Sequence, residues 1–188
     1  MKEPRVATFL KGMAAAAQLA KRASSNGYLV EYIILAGSII DGLLRMGLVL
    51  HHQIETSSTD IPEELMLQGE QDATVSEREI YKRSLAAGVI DASLFDRLNV
   101  LYSERNRVVH RYVISDITTE NVFDTARGFE DVIPLVNGAV HAVEERQIEL
   151  GVGMTTRGAH LMGERGIVDW ASGKHGADWL IEAMRRET

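Results

Sequence analysis

The sequence predicts an all-α helical bundle, and three observations carry that prediction. Ala, Leu, Glu and Arg, among the better helix formers, are spread along the whole chain, which has only 3 prolines in 188 residues. Apolar residues recur at three- and four-residue steps over long stretches. Capping residues stand where several of those stretches begin. Together they predict four to five long helices over residues 1–150, followed by a C-terminal extension, 151–188, of different texture. The length is enough for one domain with a full core, and short for two.

In chain order, Thr8 to Ser24 reads as a helix with Phe9, Met13, Ala16 and Ala20 along one face. Ser24, Ser25, Asn26 and Gly27 break it. The next stretch, Tyr28 to His51, is apolar on most sides, as a helix at the centre of a bundle must be. Its polar residues Glu31, Ser38, Asp41 and Arg45 share a single stripe. Gln53–Thr74 is acidic and mostly loop, with Pro62 opening a short helix over Glu63–Leu67. Ser76 and Glu79 form a capping box that starts another helix, and Gly88 ends it. Asp91 caps the following helix, whose apolar stripe runs Leu94, Leu98, Leu101, Val108, Val109, Tyr112. Thr118 or Thr119 caps the last long helix, expected to reach Leu150 with a kink at Pro134. The glycine-rich extension reads as loop plus a helix over Ala177–Arg186, with Trp170 and Trp179 covering the end of the bundle.

Composition excludes several classes of function. The chain has no cysteine, so it carries no disulfide scaffold, no thiolate zinc site and no Cys nucleophile, and it suits a reducing cytoplasm. The N-terminal residues read as an amphipathic helix rather than a secretion signal, because Lys11 interrupts the only apolar run. Tyr28–Leu50 has the length of a membrane span, but Glu31, Asp41 and Arg45 would be costly in lipid, so a buried helix and no membrane partner are expected. With a net charge of −7, the surface as a whole does not attract nucleic acid, and any RNA contact must be local.

No metal or cofactor is expected. His51 and His52 are neighbours that diverge by about 100° on a helix. His141 with Glu144 and Glu145 lacks the spacing of a helical zinc site. Gly151–Gly153 and Gly173–Gly176 lack the spacing of phosphate-binding loops, and no Gly-x-Ser-x-Gly elbow is present.

The informative stretch is Ser103-Glu104-Arg105-Asn106-Arg107-Val108-Val109-His110-Arg111-Tyr112. The apolar stripe should place a hydrophobe at position 105 and places a guanidinium there instead. A charge on a packing face is paired, or that face meets a ligand or another subunit. The structural explanation is a buried salt bridge from Arg105 to Glu31 or Asp41. The functional one starts from Asn106 and His110, which lie four apart and are neighbours on a helix. An imidazole passes protons, an amide orients it or a phosphate, and the planar fork of Arg105 holds phosphate oxygens. Arg107 and Arg111 add positive charge for RNA beside them. Such a set suits cleavage of RNA by its own 2′-hydroxyl, without metal. Arg105 and His110 are about 140° apart on an ideal helix. Either the long side chain curls round, or the helix is distorted, or the working pair forms across two subunits.

Arg105-x4-His110-x-Tyr112 resembles the Arg-x4–6-His signature of the HEPN superfamily, and its last residues resemble HepT-type toxins of toxin–antitoxin systems. The resemblance implies a helical bundle with the motif late in the fold, and a metal-independent endoribonuclease whose site forms in the cleft of a homodimer. It implies that Arg105 and His110 are catalytic, with Asn106 a polar support. Tyr112 becomes the position modified by a nucleotidyltransferase antitoxin. Asp41 is a supporting residue on the residues alone, as a candidate partner of Arg105. Many members of that superfamily are silent modules that bind a nucleotide or a partner protein, so this is the alternative function. A plain structural bundle is the third.

Overall fold

The computed structural model describes residues 5–66 and 74–154. Its helices are α1 (Arg5–Ser25), α2 (Leu29–Thr56), α3 (Glu63–Met66), α4 (Glu77–Ala86), α5 (Ala92–Arg111) and α6 (Thr119–Leu150), and no strand occurs among the described residues. The all-α expectation holds. The expected helix over Ala177–Arg186, both tryptophans and most of the extension 151–188 lie outside the described residues.

Local chemistry explains most boundaries. The Ser76 hydroxyl accepts the Glu79 N–H, the Asp91 carboxylate accepts the Leu94 N–H at 2.8 Å, and Thr118 with Asn121 makes a reciprocal capping box. The box expected at Ser76 is only half formed, because the Glu79 carboxylate turns to Arg83 at 3.2 Å. An i,i+4 ion pair on the exposed side competes with the backward reach to the cap. Pro134 sits inside α6 on its exposed side, and the helix continues past it to Leu150.

Helix α2 touches every other helix. Ile33, Ile40, Leu44 and Val49 are fully buried along it, each worth about 1.5–3 kcal/mol of removal from water. The helix is long and apolar enough to cross a membrane, but 61% of its most apolar window is buried against the bundle. Burial by neighbouring helices accounts for its all-round hydrophobicity. Helix α6 covers one side, and α5, running antiparallel to α2, brings Arg105 against Gly37 while Val89, just before α5, meets Gly47.

A buried amide cluster ties α6 to α2. Gln147 donates to the Leu50 carbonyl at 3.0 Å and to Gln53 Oε1 at 2.9 Å. The same Gln53 oxygen accepts the Met154 N–H, while Gln53 Nε2 donates to the Asp60 carbonyl. Gly153, at φ +79°, is required here because a Cβ would fall 2.3 Å from Gln147 Nε2. Both glutamines are fully buried. Gln147→Ala therefore strands polar partners in the core, and urea unfolding should register a loss of about 2–3 kcal/mol. A loss below about 0.5 kcal/mol, the range of surface substitutions, would mean the cluster does not fasten the two helices.

Candidate functional site

Helix α5 has two working faces, set by its sequence. The inward face carries Leu94, Leu98, Leu101, Arg105 and Val108 at steps of four and three, and all but Arg105 are buried hydrophobes. The outward face carries Ser103, Asn106, Arg107, His110 and Arg111. The predicted stripe leaves the core at Val108. Val109, inside α5, and Tyr112, at its C-cap, are 38% and 46% exposed.

The structure corrects the expected partner of Arg105. Neither Glu31 nor Asp41 meets it. Its Nη1 donates to Glu77 Oε2 at 2.5 Å, in a pair whose side chains are 17% and 15% exposed. Glu77 is the first residue of α4, where the unsatisfied N–H groups and helix dipole favour a carboxylate. The Tyr81 hydroxyl, one turn later, donates to the other Glu77 oxygen. Burial, and then the Glu77 carboxylate, pushes the Tyr81 phenol far above its ordinary range, so it remains a donor. The Arg105 guanidinium lies 4.9 Å from the Tyr102 ring centroid, and Tyr81 meets Tyr102 edge-on at 6.4 Å. Arg78 lies over the same ring at 4.8 Å. Gly37 of α2 makes the room, since a Cβ there would sit 2.7 Å from Arg105 Nη1.

Asp41 is occupied elsewhere. Its Oδ2 accepts from Arg45 Nε at 2.7 Å, and Arg45 also donates to the Val75 carbonyl at 2.8 Å. Asp41 lines a separate hollow of about 330 Å³ between α1 and α2. Its expected support of Arg105 is absent because its own helix supplies a cation one turn away. Glu31 is exposed.

The outward face forms a concavity of about 380 Å³ lined by Ser103, Asn106, Arg107, His110 and Arg111. Arg107 is partly neutralised by Glu104 at 3.3 Å. His110 and Arg111 make no ion pair among the described residues. Arg105 does not line this concavity. Asn106 joins the two faces: its Oδ1 accepts from Arg105 Nη2 at 3.3 Å, and the residue also lines the hollow beside His110. The helix thus leaves Arg105 and His110 on different sides, with Asn106 bonded to the first and lining the concavity of the second.

Sequence reasoning missed Glu77, Tyr81, Tyr102 and Gly37. Glu77 and Tyr81 had a local signal, an i,i+4 pair at a capped helix start. Tyr102 stands three residues before Arg105, on an adjoining turn. Nothing local marked Gly37. Among the described residues no group of three or more His, Asp or Glu side chains could hold a metal ion. No family model, no curated protein and no solved structure matches this chain.

Proposed function

We propose that the chain is a metal-independent endoribonuclease of the HEPN type, acting in the cytoplasm as a homodimer on single-stranded or looped RNA. One observation carries the reading: His110 and Asn106 share a solvent-open hollow with Arg107 and Arg111, while Asn106 touches Arg105. That is a proton-transfer group, an amide and cations gathered on one helix end. In the reaction the 2′-oxygen bonds to phosphorus and the P–O5′ bond breaks. A base accepts the 2′-hydroxyl proton, and the departing 5′-oxygen takes up a proton. His110 fits the proton transfers, and the arginines fit the charge on the phosphate oxygens. A toxin or defence role follows from the same resemblance, with a nucleotidyltransferase antitoxin acting on the exposed Tyr112.

Dimerisation has its own support. Val113 and Ile114 are 92% and 82% exposed, beside the exposed Val109 and Tyr112, and such apolar groupings mark contact sites. A two-fold axis over this patch, the commonest oligomer symmetry, brings the two α5 ends together. Val113→Asp with Ile114→Asp should weaken the dimer at least roughly a hundredfold, since two anions enter an apolar contact. Light scattering at micromolar concentration reads the result, and wild-type protein that is monomeric there removes the composite site.

The testing experiment is cleavage of a single-stranded RNA by wild-type protein in EDTA. Activity should persist, and loss in chelator with recovery on added magnesium or zinc would point to another site. A second reading, a silent module that binds a nucleotide or partner protein, is favoured by the Glu77 carboxylate that already occupies Arg105. Folded wild-type protein that leaves RNA intact would select it.

A further inference from the structure

We infer that Glu77 is an internal anion that competes with phosphate for Arg105, so that the strength of the Glu77–Arg105 pair sets how readily this site takes a phosphate group. The inference rests on the reading of Arg105 as a phosphate-binding residue. Its ground is the way the pair is built. A carboxylate and a phosphate present similar oxygens to a guanidinium fork, so either can occupy it. Glu77 Oε2 occupies it here.

An ordinary buried salt bridge resists opening because each partner would be left as a bare charge. In this pair both partners have separate support. Glu77 keeps the Tyr81 hydroxyl on its second oxygen and stands at the start of α4, where helix N–H groups stabilise a negative charge. Arg105 keeps the Tyr102 ring and the Asn106 oxygen. The ion pair can therefore open without stranding either charge, and an incoming phosphate restores what Arg105 loses. Asn106 supplies the route, because it touches Arg105 from the hollow that His110 lines. Tyr81 acts as the keeper of Glu77, and Gly37 leaves the room that the guanidinium fills.

The test uses the full chain with inorganic phosphate as probe, read by thermal shift. Glu77→Gln preserves the side-chain volume and an acceptor for Tyr81 while removing the competing charge. Apparent affinity for phosphate should rise roughly tenfold, the scale of one charge-assisted hydrogen bond released to the anion. The gain should vanish in Glu77→Gln combined with Arg105→Gln, which separates it from a general loss of acidity. If Glu77→Gln does not fold, Glu77→Asp decides, since it keeps the charge but draws the carboxylate back by one methylene. It should give a smaller gain of the same sign. A folded single variant that binds phosphate no better than wild type overturns the inference, as does a gain that survives removal of Arg105. RNA cleavage, measured separately, keeps the two readings apart. A phosphate gain through Arg105 in a protein that cuts no RNA supports the competing anion and rejects the ribonuclease. RNA cleavage with no phosphate gain does the reverse.

Discussion

Replacing His110 with alanine should lower RNA cleavage at least about a hundredfold, the low end of what losing a general acid–base group costs. The fold should not notice. His110 is exposed on the last turn of α5, alanine is the better helix former, and exposed substitutions of this kind stay within about 0.5 kcal/mol. Activity and thermal melting are therefore measured on the same sample. Unchanged cleavage by a normally melting variant would remove His110 from the chemistry. A mixing experiment then uses the geometry of α5, which leaves Arg105 outside the hollow of His110. If one subunit supplies the arginine and the other the histidine, combining inactive Arg105→Ala and His110→Ala proteins rebuilds one intact site in each mixed dimer. Statistical pairing then restores about a quarter of wild-type activity. If both residues work within one chain, mixing restores nothing.

The parts of the structure that were legible in the sequence are those governed by neighbours along the chain. Ser76, Asp91 and Thr118 start their helices because a side-chain oxygen finds an N–H three residues on. The anomaly at Arg105 was also visible, as a charge on a stripe whose period demanded a hydrophobe. Its partner was not. Asp41 and Glu31 were acids on the apolar central helix, whereas Glu77 comes from another helix, 28 residues before Arg105 in the chain. Which acid meets it depends on how α4 and α5 dock on α2, and periodicity holds no record of docking. Asp41 was closer to legible, since Arg45 stands one turn beyond it and an i,i+4 pairing needs no tertiary information. The outward face containing His110, and its separation from Arg105 by about 140°, follow from helix period alone, whereas the hydrogen bond from Arg105 to Asn106 does not.

Arg105→Ala should abolish at least about 99% of cleavage, as expected when a charge-stabilising donor worth roughly 2.7–4 kcal/mol leaves a reacting phosphate. Unlike the histidine variant, it should also cost stability. The side chain packs against Tyr102 and fills the space beside Gly37, so its removal leaves a hollow as well as a carboxylate short of one partner. Breaking a fully buried ion pair costs about 3–5 kcal/mol. Here Tyr81 and the start of α4 continue to hold Glu77, and both side chains retain some solvent contact. A loss of about 2 kcal/mol is expected for a pair so supported, a melting shift of roughly 4–8 °C for a chain of this size. Complete unfolding would identify the pair as a structural fastening, with the guanidinium retained for the core rather than for RNA. The comparison with Glu77→Gln sharpens the distinction. A purely structural pair weakens with the loss of either member, so both substitutions lower stability and neither strengthens anion binding. A competing anion gives opposite signs: phosphate binding rises when Glu77 loses its charge and falls when Arg105 is removed.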